Sequence, residues 1–431
     1  MEKDIRKLFD LPNYVDRDKA DANILKEVYN RMGNNYPYHH PLYAGQMIKP
    51  PHPVARKAYE LALQVNPNNH ALDGGIESSA MEKEAVAELA EMVGFKQHLG
   101  HLTGGGTMAN LEALWVASKV HPGKKIVGSE QAHYTHSRIT EVLKIPYSSI
   151  EVDSLGRMNM ENLEMHLIAG DVGTIVATLG TTSAGAIDPL EDILRLAKKY
   201  NTRVHIDSAY GGYYRIAGRL TPYAKKQYGL VQEADSIVID PHKHGMQPYG
   251  CGCILFKNPE VGKYYSHDSP YTYFTSGDLH LGEISLECSR PGAAAVALWA
   301  TQKQFPLIAK GEFAQRLDDS LQAANELYMM LKMSDKFITF FQPELDIVLW
   351  APRGERASAI SDASAMLFDA CTDQDVHLAL YKYPISMLPE HLQSIEKDQD
   401  YLVCLRSCLM KPEHKYWVKF IFSVMDELLE F

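Results

Sequence analysis

The chain has 431 residues, enough for one large domain with a smaller one beside it. Its net charge of −11 argues against binding to nucleic acid or to an anionic membrane, because either partner would need a basic face. No apolar run reaches the roughly 20 residues of a membrane span, and the first residues, MEKDIRKLFD, lack the apolar core of a secretory signal. Six cysteines in a chain this long do not form a disulfide framework and indicate reduced thiols, which predicts a cytoplasmic protein.

The first 60 residues are irregular, with prolines at 12, 37, 41, 50, 51 and 53. They predict an N-terminal arm that wraps over another part of the molecule. From about residue 79 the pattern becomes regular, and SAMEKEAVAELAEMVG predicts a helix that stops at its glycine.

Short apolar runs then alternate with segments of helical spacing. The predicted strands are KKIVGSE, SIEVD, GTIVATLG, TRVHID, DSIVID and CGCILF. The predicted helices are TMANLEALWVASKV, HYTHSRITEVLKI, MENLEMHLIAG and PLEDILRLAKKY. This alternation predicts a mostly parallel α/β sheet in a large domain over residues 61–300.

From about residue 301 the character changes to long helices and then to the strands FITFF, DIVLWAPR and YLVCLRSCLM, with a last amphipathic helix from about residue 413. We therefore expect a smaller α+β domain over residues 301–431.

Ligands of open α/β sheets bind beyond the carboxyl ends of the strands, so polar residues that follow strands are the candidates. The glycine-rich turn TGGGTMAN, residues 103–110, opens a helix, and its bare N–H groups suit a phosphate. An ordinary tight turn explains it equally well. The turn lacks the G-x-G-x-x-G pattern of dinucleotide sites.

Three more candidates follow strands. Asp207, in HIDSAYGG, ends a predicted strand and could face a heterocyclic nitrogen, although a helix cap is the commoner role. Lys243, in IDPHKHG, follows an apolar strand and could be a desolvated amine that forms a Schiff base, whereas most lysines are surface residues. His133, in SEQAHYTHS, could stack on a flat ring or serve only the structure.

Together these features match the needs of pyridoxal phosphate: a phosphate anchor, a stacking ring, a partner for the ring nitrogen and an amine for the aldehyde. The chain resembles the group II pyridoxal-dependent decarboxylases, most closely the tyrosine and aspartate decarboxylase branch. The motifs that carry the resemblance are H-x-D-x-A-Y-G-G (205–212), D-P-H-K-x-G (240–245), A-H-Y (132–134), A-T-L-G-T-T (177–182) and C-S-R-P-G-A (288–293). The likeness covers residues 36 to 412 and implies pyridoxal-phosphate fold type I, which is the aspartate-aminotransferase-like fold.

The resemblance implies a role for each matching position. Lys243 would form the internal aldimine, His133 would stack on the ring, Asp207 would pair with the ring nitrogen and Ala209 would pack below the ring. The remaining predicted cofactor contacts are Gly105, Gly106, Thr107, Thr182 and His242.

Two positions depart from the family pattern. Gly104 stands where many relatives have serine, so a hydroxyl on the phosphate side is missing. His244 stands where tryptophan, methionine or tyrosine is commoner.

Loss of CO₂ must be followed by proton delivery to the same carbon, which requires a donor within hydrogen-bond reach. Tyr249 and Tyr271 are the candidates, and either could instead be a packed aromatic. In the arm, YPYHHPLYAGQM resembles the stretch that lines the substrate pocket of such enzymes, so His40 and Tyr43 are candidate substrate contacts. Arg406 could face a substrate carboxylate or support the smaller domain, and the second role is the favoured interpretation.

The resemblance implies a decarboxylase of an L-amino acid that acts as a homodimer. The aromatic-rich arm favours tyrosine or another aromatic substrate, with aspartate or glutamate next. A carbon–carbon lyase or an aminotransferase of the same fold is an alternative, and a non-catalytic regulatory homologue is disfavoured because Lys243, Asp207 and His133 are all present. No metal is expected, since only one residue stands between Cys251 and Cys253 and no matching second pair exists, unlike the usual zinc spacing.

Overall fold

The computed structural model describes residues 22–266 and 280–429. A seven-stranded sheet, here the large sheet, has the order β1-β7-β6-β5-β4-β2-β3. Its strands are β1 Leu99–Thr103, β2 Lys125–Ser129, β3 Tyr147–Ile150, β4 Val172–Thr178, β5 Arg203–Asp207, β6 Ser236–Ile239 and β7 Gly252–Phe256.

Strand β7 is antiparallel to both of its neighbours, and the other pairings in the large sheet are parallel. The carboxyl ends of β1, β2, β4, β5 and β6 consequently lie along one edge of the sheet. Every residue of β4, VGTIVAT, is buried, as expected for a strand that is covered on both faces.

Twelve α-helices lie within the described residues. They are α1 Ala22–Met32, α2 Pro53–Leu63, α3 Ile76–Val93, α4 Gly106–Val120, α5 Thr135–Leu143, α6 Met160–Ile168, α7 Leu190–Tyr200, α8 Pro222–Tyr228, α9 Gly292–Gln304, α10 Glu312–Met333, α11 Ala357–Asp373 and α12 His414–Glu427. The predicted stop of α3 is confirmed, because Gly94 takes a left-handed conformation with φ of 87° and its N–H bonds to Ala90 and Glu91.

A four-stranded antiparallel sheet, here the small sheet, has the order β10-β11-β9-β8. Its strands are β8 Phe337–Thr339, β9 Ile347–Pro352, β10 Ala379–Pro384 and β11 Tyr401–Cys408. The mostly parallel large sheet with this antiparallel sheet confirms the predicted α/β fold of type I.

The prediction that the first 60 residues are irregular is wrong for two segments. Residues 22–32 form α1, and α2 begins at Pro53, which suits the first turn of a helix because proline has no N–H to leave unpaired. Between these helices the chain reaches the small sheet, since Ala44 bonds through its backbone to His377 and Cys408.

Two strands, β1 and β10, were also missing from the prediction. Among the described residues, none of the helices is sufficiently long and apolar to span a membrane.

Candidate active site

A cavity of about 520 Å³ opens at the edge of the large sheet where the carboxyl ends of the parallel strands meet. All nine predicted cofactor contacts line it: Gly105, Gly106, Thr107, His133, Thr182, Asp207, Ala209, His242 and Lys243. The structure therefore brings together residues that are up to 138 positions apart in the sequence.

The glycine turn joins β1 to the start of α4. Gly105 has φ of +145°, a conformation that side chains rarely adopt, and a Cβ on Gly106 would lie 2.7 Å from Asp240 Oδ2. No side chain caps the start of α4 at Gly105. The first N–H groups of α4 therefore face the cavity edge without a capping side chain as acceptor. Both glycines are required for this close approach, and the turn offers the N–H donors that a phosphate needs.

Asp207 ends β5 and is 5% exposed. Its Oδ2 lies 2.7 Å from His136 Nε2, and its Oδ1 accepts a bond of 3.1 Å from the N–H of Ala209. Burial alone would raise the pKa of this carboxyl, but the hydrogen bond and the charge of His136 outweigh it and hold the pKa well below its usual range. Asp207 thus presents a stable negative charge to the cavity.

His136 lies in the first turn of α5 and was not among the predicted site residues. The signal available was its position in A-H-Y-T-H, where it follows His133 by almost one helical turn.

Lys243 lies in the turn after β6, and its Nζ is 3.3 Å from Asp240 Oδ2. The same carboxylate oxygen is 3.5 Å from Nε2 of His242, whose Nδ1 is 2.8 Å from the carbonyl oxygen of Cys251. The lysine side chain is 19% exposed, so the amine faces the cavity and not bulk solvent. Asp240, which lines the cavity, was also not among the predicted site residues.

His133 follows β2, and its Nδ1 lies 2.8 Å from Thr135 Oγ1. Burial lowers the pKa of this imidazole, with the charge of Asp207 opposing the effect and that of Lys243 adding to it. A neutral ring with one fixed nitrogen can lie flat against an aromatic ligand.

Unlike the predicted cofactor contacts, neither candidate proton donor is among the described residues that line the cavity. Tyr249 is 58% exposed, its ring packs 4.8 Å from that of His242, and its hydroxyl donates to the carbonyl of Met47 at 3.4 Å. It does not line the cavity. Tyr271 lies outside the described residues.

The candidate substrate contacts also lie off the cavity wall. His40 packs against Trp417, with ring centres 4.9 Å apart, and Tyr43 is buried against Tyr38. Arg406 is 5% exposed and donates to the carbonyls of Ser183, at 3.1 Å, and Gly45, at 2.9 Å. Its Nη2 is buried and has no hydrogen-bond partner among the described residues.

Two further features were not foreseen. Tyr210 lines the cavity, and its hydroxyl donates at 2.6 Å to Oδ1 of Asp346, the residue directly before β9. Glu287 accepts a bond of 3.0 Å from the N–H of Gly104, the position where many relatives carry serine.

The residues of the cavity fit pyridoxal phosphate. The cavity volume is within the range of small-molecule sites. The glycine turn leaves room and N–H donors for a phosphate. The Lys243 amine and the ionised Asp207 carboxylate lie in the same cavity. One buried oxygen, Asp240 Oδ1, lacks a hydrogen-bond partner in the described part of the chain, so the site has an acceptor available to a ligand.

Comparison with known proteins gives the family. The family model described as "pyridoxal-dependent decarboxylase conserved domain" matches residues 107–351. The L-tyrosine decarboxylase of Enterococcus faecium is 26% identical over 84% of this chain and 78% of its own length. The L-aspartate decarboxylase of Thermococcus kodakarensis is 27% identical over 78% of this chain and 85% of its own length.

Solved structures agree on the fold. Mouse CSAD superposes with a TM-score of 0.81 at 19% identity, covering 94% of this chain and 87% of that one. Oryza sativa TDC, solved with PLP and tryptamine, gives a TM-score of 0.80 at 16% identity over 94% of this chain and 88% of that one.

The family match spans more than half of the chain and includes the cavity residues from Thr107 to Lys243. The chain thus belongs to the pyridoxal-dependent decarboxylases, as a carboxy-lyase that acts on an amino acid with pyridoxal phosphate as its cofactor.

Proposed function

We propose that this enzyme removes CO₂ from L-tyrosine or another aromatic L-amino acid and releases the amine. The observation that carries the proposal is the single cavity that holds the Lys243 amine and the ionised Asp207 carboxylate. Support for the substrate comes from the name of the Enterococcus faecium relative, L-tyrosine decarboxylase. The aromatic residues of the arm, Tyr36, Tyr38 and Tyr43, give further support because they pack together near the small sheet.

The bound cofactor supplies an electron-withdrawing ring toward which the electrons of the broken carboxylate bond are drawn. Lys243, whose amine faces the cavity, would hold the cofactor at its aldehyde. Asp207 keeps a proton on the ring nitrogen, because a buried anion stabilises the positive form of a neighbouring base. His133 and Ala209, which both line the cavity, would hold the ring between them.

The phosphate group is assigned to the start of α4. Gly106 and Thr107 offer backbone N–H groups and one hydroxyl at the positive end of that helix, and Gly105 lets the backbone approach the phosphate closely. His242 is proposed to contact the phosphate or the aldehyde end, and Thr182 the hydroxyl side of the ring. All five line the cavity.

Tyr249 and Tyr271 are proposed as alternative proton donors to the α-carbon. Tyr249 would have to give up its bond to Met47 to reach the cavity, a single contact of 3.4 Å at an exposed position. His40 and Tyr43 are proposed to shape the substrate entrance from the arm.

A second candidate substrate is L-aspartate, with L-glutamate as its longer homologue. The observation that favours it is Arg406, whose buried Nη2 has no partner among the described residues while Nε bonds the carbonyl of Ser183, next to Thr182. A buried guanidinium with a free N–H is suited to a carboxylate. The Thermococcus kodakarensis relative is named an L-aspartate decarboxylase.

We also propose a division of the chain into an arm over 1–60, a cofactor-binding domain over 61–300 and a small domain over 301–431. The large sheet falls within 99–256 and the small sheet within 337–408. A homodimer in the cytoplasm is proposed as the active form.

The test is to incubate the cofactor-loaded protein with each common L-amino acid and to measure both CO₂ and the amine. We expect tyramine from L-tyrosine as the fastest product. β-Alanine from L-aspartate as the dominant product would replace the first candidate by the second. Turnover that yields no CO₂ would instead favour an aminotransferase or a carbon–carbon lyase.

A further inference from the structure

A second cavity, of about 140 Å³, lies where the arm meets α10 and the segment that precedes α12. Its walls include three cationic side chains, Lys49, Arg316 and Lys411. Four prolines also line it, at positions 50, 51, 53 and 412, and none of them has an N–H to donate. None of these residues lines the cofactor cavity.

The ammonium of Lys411 is the most enclosed of the three cations. The residue is 2% exposed, and its Nζ donates to the carbonyl of Tyr43 at 2.6 Å. Within the part of the chain that the structure describes, no carboxylate oxygen lies within 4.0 Å of this nitrogen. The same nitrogen lies 5.2 Å from the centre of the Tyr43 ring, so its contacts in the described structure are a neutral carbonyl and an aromatic face. A buried charge is normally paired with an opposite charge, and this one has no anionic partner among the described residues.

Lys49, in the arm, also donates to a backbone carbonyl and has no carboxylate partner among the described residues. It is partly buried, and its Nζ donates to the carbonyl of His244 at 3.4 Å. Over the described ranges it too lacks a carboxylate oxygen within 4.0 Å. Two lysines that line one small cavity therefore both lack a carboxylate partner within 4.0 Å among the described residues.

Arg316, on α10, supplies the third cation. Its Nη2 bonds to Glu312 at 3.1 Å on the solvent side, whereas its Nε is buried and has no partner among the described residues. Glu413 is the single acidic residue among those that line the cavity, and it is exposed. The walls thus have more positive than negative charge.

The pKa values of the two lysines agree with this geometry. Burial lowers the pKa of Lys49 to about 8, with Asp346 and Glu413 opposing the shift and Arg316 and Lys411 adding to it. Burial likewise lowers the pKa of Lys411 to about 8, against the opposing effects of Cys408 and Glu413. An anion between them would stabilise both charged forms.

We propose that this cavity binds one small inorganic anion, a halide or phosphate, between Lys49, Arg316 and Lys411. The volume is several times that of a water molecule but below the roughly 300 Å³ at which sites for larger organic ligands begin. Lys49 belongs to the arm, whereas Arg316 lies on α10 and Lys411 precedes α12, so the anion fastens the arm to these two segments. Lys49 also bonds the backbone of His244, next to Lys243.

Crystals of the cofactor-loaded enzyme in sodium bromide test the site directly. We expect an anomalous bromide peak inside this cavity. Absence of a peak in this cavity would overturn the proposal, whether or not bromide binds elsewhere in the crystal. This measurement does not depend on which amino acid is the substrate.

Thermal unfolding of the same cofactor-loaded enzyme gives an independent readout. At constant ionic strength set with sodium gluconate, whose anion is too large for the cavity, bromide or phosphate should raise Tm by a few degrees. Lys411→Met and Lys49→Met should lose this rise, while the matched control Lys226→Met, whose lysine pairs with Glu191 at the surface, should keep it.

The variants also separate anion binding from a structural role of the lysines. In gluconate alone, Lys411→Met should be at least as stable as the original chain, because it removes an uncompensated buried charge. An equal anion response in Lys411→Met and the original chain would sink the proposal.

Discussion

His136 Nε2 lies 2.7 Å from Asp207 Oδ2, and both side chains are almost fully buried. This contact holds the carboxylate in one orientation, because the second oxygen is fixed by the N–H of Ala209. The pKa of Asp207 stays below its usual range through the same bond. The negative charge offered to the cofactor nitrogen therefore depends on a residue that does not itself line the cavity.

The first prediction concerns this positioning residue. His136→Phe keeps the ring volume but removes the donor, so the pKa of Asp207 should rise and its orientation should relax. We expect kcat to fall about tenfold or more while KM changes little, together with a shifted pH dependence of the cofactor's visible absorbance. An unshifted absorbance profile would make His136 a packing residue only. His121→Phe, which alters a histidine bonded to the carbonyl of Gly173 away from the site, is the control.

The second prediction concerns Asp207 itself. Asp207→Asn preserves the shape and can still accept from Ala209, but it removes the charge. Loss of one preorganised electrostatic contact costs about a hundredfold or more in rate. Turnover measured at saturating cofactor checks this, and near-normal turnover would mean that the ring nitrogen does not need this anion.

Much of the site could be predicted from the sequence because parallel strands end at one edge. Asp207, Lys243 and His133 each follow an apolar run, and the fold brings the ends of those runs together. His136 was missed because only the packing of α5 against the large sheet shows which way its second histidine points. The contact of Tyr210 with Asp346 joins residues 136 positions apart, and no local pattern encodes such a pair.

The two missed strands have physical explanations as well. Strand β1, LGHLT, contains a glycine and a histidine, so its composition lacks the apolar run that marks the other strands. Strand β10, ALYKYP, ends in proline and exposes several of its residues at the edge of the small sheet. Both are held by long-range pairing, β1 with β7 and β10 with β11.

A third prediction distinguishes Lys243 from the other lysines with an unusual environment. Borohydride reduction of the yellow, cofactor-loaded enzyme should leave the cofactor mass on the peptide that contains Lys243. Lys49 is the internal comparison, because its pKa is lowered to about 8 although it lies outside the cofactor cavity. An adduct on Lys49, or on no lysine, would contradict the assignment. Lys243→Ala should lack the adduct and keep its thermal stability, since no core packing is lost.

The fourth prediction tests the two proposed proton donors. Tyr249→Phe keeps the ring that packs on His242 but removes the hydroxyl proton. If Tyr249 is the donor, amine release should fall more than substrate binding, and misdirected protonation should raise the fraction of carbonyl product. Product analysis of Tyr249→Phe beside Tyr271→Phe checks this. Unchanged amine output from Tyr249→Phe, with no carbonyl product, would assign the role to Tyr271.

The fifth prediction concerns stability and pH. Glu112, on α4, is fully buried, accepts a bond of 2.9 Å from the hydroxyl of Tyr265 and lies 3.0 Å from His101 Nε2. Burial raises the pKa of Glu112 to about 8, with the bond from Tyr265 opposing the shift, and burial lowers the pKa of His101 well below its usual value. Near neutral pH the pair is therefore a protonated carboxyl beside a neutral imidazole.

The sign of the effect follows from proton binding. Between about pH 6.5 and 8, the native state holds a proton on Glu112, whereas the unfolded state has lost it, and His101 is neutral in both states. The free energy of unfolding should therefore fall as pH rises through this window, by at most about 1.4 kcal/mol per pH unit from this one group. Glu112→Gln keeps the shape and cannot ionise, so its slope should be shallower by that amount. Asp188, whose pKa burial raises to about 7, contributes a similar slope to both proteins and cancels in the difference. Urea unfolding at several pH values measures both slopes, and equal slopes would show that Glu112 is already ionised in the native protein.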